Sequence, residues 1–152
     1  MRHPTKIKST LLFFCSALAL TLAGCSGTMP DTLGVTEGKL AACPDKPNCV
    51  VSYQYDDTHL ISALNYSGEY TVAYADLLKR IGEMPGSQII TRGERYVHAE
   101  FTSRLMRYVD DVEFYFNVED KRIEVRSASR LGHSDMGVNR ERIEALRALF
   151  KS

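Results

Sequence analysis

From residue 70 onward, apolar positions first keep a helical spacing and then alternate. Tyr70, Tyr74, Leu77, Leu78 and Ile81 fall at i, i+4, i+7, i+8 and i+11, one face of a helix, with Asp76, Lys79 and Arg80 off that stripe. Gly82 and Pro85 end it. The period then drops to two. Ser87 to Thr91, "SQIIT", reads as a short strand and "RGER" as a turn. From Tyr96 to Ser103, Val97, Ala99 and Phe101 alternate with Tyr96, His98, Glu100 and Thr102. "RLMRYVDD" links to a strand in which Val112, Phe114, Phe116 and Val118 alternate with Glu113, Tyr115 and Asn117. "EDK" turns the chain into Arg122 to Ser129, where Ile123, Val125 and Ser127 oppose Arg122, Glu124, Arg126 and Ala128. A last helix runs from about Val138 to Phe150, with Ile143, Leu146, Leu149 and Phe150 on its stripe. Ser134, Asp135 and Asn139 are cap-forming residues near its start. Short turns between successive strands imply an antiparallel meander. The expected architecture is α+β: about four antiparallel strands, one helix before and one after, both packed on the apolar face, with the other face wetted.

The N-terminal pattern is different. Arg2, Lys6 and Lys8 precede an apolar run of 12 residues, Leu11 to Leu22, too short for a membrane span of roughly 20. This is the layout of an export signal. It ends in "LAGC", Leu22-Ala23-Gly24-Cys25, which resembles the lipobox of bacterial lipoproteins, whose Cys receives lipid and becomes the first mature residue. The resemblance implies residues 1–24 as a signal peptide and Cys25 as the acylated anchor. Acyl chains contribute ~0.8 kcal/mol per buried CH₂, so several of them hold a protein on a membrane without a spanning helix. In those lipoproteins an Asp just after the lipidated Cys retains the protein at the inner membrane; residue 26 is Ser, and the absence of Asp favours the periplasmic side of the outer membrane, in a cell that has one. Residues 26–42, "SGTMPDTLGVTEGKLAA", show no sustained periodicity and read, with Cys25, as a flexible tether (25–42) to a single domain over 43–152.

Charge narrows the partners. The chain has 19 basic and 19 acidic residues; without the three basic residues of the signal, 16 face 19. That lacks the basic excess with which proteins neutralise nucleic-acid phosphates. The expected partners are the membrane through the anchor and an envelope protein, a lipid headgroup or a cell-wall fragment. No cofactor motif and no metal-ligand set is read from the sequence.

Export also bears on "CPDKPNCV". In an oxidising compartment Cys43 and Cys49 favour a structural disulfide. Closing so short a loop contributes roughly 2–2.5 kcal/mol. A redox pair more often has Cys-x-x-Cys spacing at a helix start, and zinc needs about four ligands.

"CPDKPNCVVS", "YVHAEFTSRLMRYVDDVEF" and "IEVRSASRLGHSDMGVNRERIEALR" together resemble the bacterial family called domain of unknown function 1499, over residues 43–150. "CVVS" departs from the family's more frequent Cys-Val-Ser-Ser. The resemblance implies a shared domain and shared motifs, and no activity.

Three constellations could carry chemistry. Arg126, Ser127, Ser129, Arg130, Ser134, Asp135, Asn139 and Arg140 surround a strand end and a helix start, a composition suited to an anionic ligand; the alternative is helix capping and ion pairing with Glu113 and Glu124. Asp110 and Asp111 are an acidic pair fit for acid–base work, or pairing partners for Arg104, Arg107 or Arg130. Ser, His and Asp occur without a Gly-x-Ser-x-Gly elbow, and His133-Ser134-Asp135 is too local for a triad. The expected function is a lipid-anchored binding or accessory module; the alternatives are an envelope hydrolase using Asp110/Asp111 or Ser127–Arg130, and an assembly accessory with no ligand.

Overall fold

The computed structural model describes residues 26–54 and 56–150. Residues 1–24, expected as an export signal, and Cys25, the expected anchor, lie outside the described residues. Among the described residues the fold is α+β, with six strands and two helices. The strands are β1 (Cys49–Val51), β2 (Leu64–Asn65), β3 (Ser87–Arg92), β4 (Tyr96–Thr102), β5 (Val109–Asn117) and β6 (Arg122–Ser129). The helices are α1 (Tyr70–Glu83) and α2 (Val138–Leu149).

All strand pairs are antiparallel, in the order β1-β6-β5-β4-β3, with β2 also on β6. The expected four-strand meander is therefore β3 to β6, and the count of four is corrected to six. β1 and β2 share the outer edge of β6, facing Arg126–Ala128 and Arg122–Ile123 respectively. They are three and two residues long, too short to show a period. β5 starts at Val109, so Asp110 and Asp111 belong to the ladder rather than to a linker.

Alternation sorts the sheet into two faces. Val97, Ala99, Phe101, Val112, Phe114, Phe116, Ile123, Val125 and Val50 point to one of them and join Ala73, Leu77 and Ile81 of α1 and Ile143 and Leu146 of α2 in a single core. Burying such an aliphatic or aromatic side chain contributes roughly 1.5–3 kcal/mol. Tyr70, Tyr74 and Tyr66 pack their rings against Phe116, centroids 5.4–5.8 Å apart.

α1 ends at a corner whose Gly86 has φ 74°, and an added Cβ would lie 2.5 Å from the Thr102 carbonyl oxygen. That close approach, with Thr102 N donating to Gly86 O at 2.9 Å, docks the corner on the end of β4. α2 is fixed from its other side. Arg140 donates to the carbonyls of Leu60 and Thr58, and Arg147 to those of Ala63 and Ser62, clamping the β1–β2 connection. No helix among the described residues is long and apolar enough to cross a membrane.

Candidate functional site

The sheet face turned away from the helices was expected to be wetted. Instead His98, Asp111, Glu113, Glu124 and Arg126 are all buried there. What covers them comes from the N-terminal side. Gly34 N donates to Glu113 Oε1 at 2.8 Å, Leu40 is buried, and Tyr53 OH donates to the Leu40 carbonyl. The stretch expected to be a tether thus touches β5 at Gly34 and the Tyr53 hydroxyl at Leu40. Beside it, Cys43 and Cys49 form a disulfide, Cα atoms 5.6 Å apart, packed with Val51, Ala128 and Tyr53.

Buried charge persists only when it is paired and hydrogen-bonded. Arg126 Nη1 donates to Glu113 Oε2 at 3.0 Å, and Tyr96 OH donates to Glu113 Oε1 at 2.9 Å. Arg130 grips Asp111 through Nε (2.8 Å) and Nη2 (2.7 Å) and also reaches Glu100. His98 Nε2 stands 2.8 Å from Asp111 Oδ1. Burial works against a charged Asp111, but hydrogen bonds from Arg130 and His98 outweigh it and hold its pKa below the ordinary aspartate value. Burial, then the Glu113 charge, pushes the Tyr53 hydroxyl up to about 12 and raises Tyr96 as well. Hydrogen bonding to Asp111 raises Arg130, so this ion pair stays charged across the neutral range.

On the helix side, Asn139 is the node. Its Nδ2 donates to the Asn48 carbonyl and to Ser129 Oγ, both at 3.0 Å, and its Oδ1 accepts from Ser127 Oγ (2.6 Å) and Arg142 Nη1 (2.7 Å). Arg142 also binds Asp110 Oδ2 at 2.5 Å and lies 4.8 Å over the Phe101 ring. Asp135 caps α2, accepting from Gly137 N (3.0 Å) and Asn139 N (2.8 Å), and Ser134 Oγ accepts from Met136 N.

The eight residues read as one anionic pocket are therefore divided. Arg126 and Arg130 serve the charged face; Ser127, Ser129 and Asn139 serve the opposite one; Ser134 and Asp135 shape the turn into α2; Arg140 is spent on carbonyls. Asp110 and Asp111, adjacent in the chain, point to opposite faces, to Arg142 and Arg130. Among the described residues, no serine hydroxyl hydrogen-bonds His98, and no cluster of His, Cys, Asp and Glu could hold a metal ion. Asn48, whose side chain donates to Gly132 O, is the partner that sequence reasoning missed.

The open feature lies elsewhere. A groove of about 730 Å³ runs between the α1–β3 corner, the β4–β5 loop and α2. Met84, Pro85, Phe101, Val138 and Ala145 make it apolar, and Asp110 and Arg142 lie at its floor. Arg104 and Arg107 stand on its rim, and neither pairs with a carboxylate among the described residues. Glu141 is the acid on the other side.

A model of the family described as "Protein of unknown function (DUF1499)" matches residues 39–150. The chain belongs to this family. A search of curated proteins finds no match. The DUF1499 span holds the disulfide, both polar networks and the groove, while the Gly34 contact to Glu113 lies before it.

Proposed function

We propose that the chain is a lipid-anchored binding module on the periplasmic side of the outer membrane, attached through Cys25, whose DUF1499 domain holds an anionic amphiphile in the groove beside α2. The observation that carries the reading is the pairing of an apolar cleft with two arginines, Arg104 and Arg107, left without described carboxylate partners. Apolar walls with a few convergent polar groups are the usual composition of a ligand site, and guanidinium groups suit carboxylate or phosphate. A lipid headgroup or a cell-wall fragment fits that chemistry. The hydrolase alternative is weakened by Asp110 and Asp111, each committed to an arginine on a different face.

Native mass spectrometry of the protein recovered from its own envelope tests this. The expected result is a retained small molecule, lost when Ala145→Trp fills the groove. No bound mass, together with co-purification of a membrane complex, would favour the accessory reading instead. The anchor is tested separately: Cys25→Ser should release the protein from membranes, and unchanged membrane retention would end that part of the proposal.

A further inference from the structure

The groove opens at one end of the sheet, and that end also carries the two most exposed large apolar side chains among the described residues. Leu105, in the β4–β5 loop, is 87% exposed, and Met136, just before α2, is 93% exposed. Met106, Tyr108, Leu131 and Val138 are exposed around them. The register places these loops side by side. Thr102 faces Val109 at the mouth of the β4–β5 hairpin, Asp110 faces Ser129, and Arg130 N donates to Val109 O at 3.1 Å. Every residue from 103 to 108 is exposed, Arg104 and Arg107 among them. Of the nearby acids, Asp135 is turned inward as the cap of α2, and Glu141 lies on the groove.

The described chain also begins here. An added Cβ on Gly27 would lie 2.9 Å from Arg130 Cβ and 3.1 Å from Leu131 Cγ. Cys25 precedes Gly27 by two residues, a covalent reach of about 7 Å. A lipid on Cys25 is therefore tied within that reach to Gly27, which lies against Arg130 and Leu131.

We propose that this end of the domain docks on the bilayer that holds the anchor, with Leu105, Met106 and Met136 seated among the headgroups and upper acyl chains and Arg104 and Arg107 against anionic headgroups. The inference rests on the lipid-anchored reading. Exposed apolar tips flanked by arginines match an interface that is apolar below and anionic above, because the long arginine side chain keeps its charge at headgroup level. Each cation near an anionic surface strengthens attachment by about fivefold. The same placement would open the groove toward the membrane surface, the source of an amphiphilic ligand.

The chain contains no tryptophan, so an introduced one reports its own position. Full-length Leu105→Trp, Met136→Trp and Val72→Trp are processed in the envelope, purified and reconstituted into phosphatidylglycerol-containing vesicles. Val72, in the first turn of α1, is 67% exposed at the far end of the domain and serves as the control. Expected are blue-shifted emission and quenching by brominated acyl chains at 105 and 136, with water-like emission at 72. Water-like emission at 105 and 136 on vesicle-bound protein would overturn the proposal, including the case in which a protein partner covers these loops. The intact mass reads the anchor independently. If Cys25 carries no lipid, the anchored reading fails, and emission after adding vesicles still decides the docking: a shift at 105 and 136 upholds it, and no shift overturns it. Should Leu105→Trp misfold by circular dichroism, Met106→Trp replaces it.

Discussion

Arg130 and Arg107 leave the same end of the sheet and are used in opposite ways. Arg130 follows β6, has a side chain only 7% exposed, and is held by Asp111 and Glu100. Arg107 sits in the β4–β5 loop, is exposed, and meets no described carboxylate. The difference shows where this domain has charge to spare. On the sheet's second face every cation is matched by an acid, an arrangement that fixes a fold. At the sheet end, cations and apolar side chains stand open together, an arrangement that awaits a partner.

The largest effect expected from disturbing this contrast is at the matched charges. Glu113→Ala leaves Arg126 buried and uncompensated, and should cost about 3–5 kcal/mol in urea unfolding. A loss below about 1 kcal/mol would mean that water reaches this face. Asn139→Ala removes the node joining α2, β6 and the Asn48 turn and should cost roughly 2–3 kcal/mol, since buried donors and acceptors lose partners. Replacing Cys43 and Cys49 by Ala should cost about 2 kcal/mol, the loop-closure term for so short a ring.

The next effect is read along pH. The carboxyl of Asp111 is held below its ordinary value, so its contribution is fully present above about pH 4 and is lost as pH falls through the lower folded value. Between those two values the unfolded chain binds more protons, so stability rises with pH. Asp111→Asn should flatten this acid limb in denaturation measured from pH 5 downward; an unchanged slope would assign acid sensitivity to other carboxylates. The smallest stability effect is expected at the open end. Arg104→Ser with Arg107→Ser should change unfolding free energy by less than about 0.5 kcal/mol.

Both helices and the four long strands were legible because each carries enough turns or alternations to show a period. β1 and β2 were not, because three and two residues have none. Alternation identified the apolar face correctly, but it does not reveal whether the other face is wet. Glu113, Glu124 and Arg126 read as solvent-facing, yet all three are buried, with Gly34 reaching Glu113 and Ser52 reaching Glu124 from segments that have no pattern of their own. The split of the proposed anionic pocket was latent in the strand period: Arg126 and Arg130 differ in parity from Ser127 and Ser129. The use of Arg142 against Asp110 was not legible, because it depends on how α2 crosses the sheet. The groove itself depends on the docking of the Gly86 corner, a contact between segments distant in the chain.

Arginines that hold the fold and arginines that hold a partner are told apart by native mass spectrometry of folded Arg104→Glu/Arg107→Glu beside the unaltered protein, both recovered from the envelope. The expected result is a bound amphiphile on the unaltered protein and none on the variant, with equal unfolding midpoints once both have been stripped of ligand. An equally loaded variant would contradict the division.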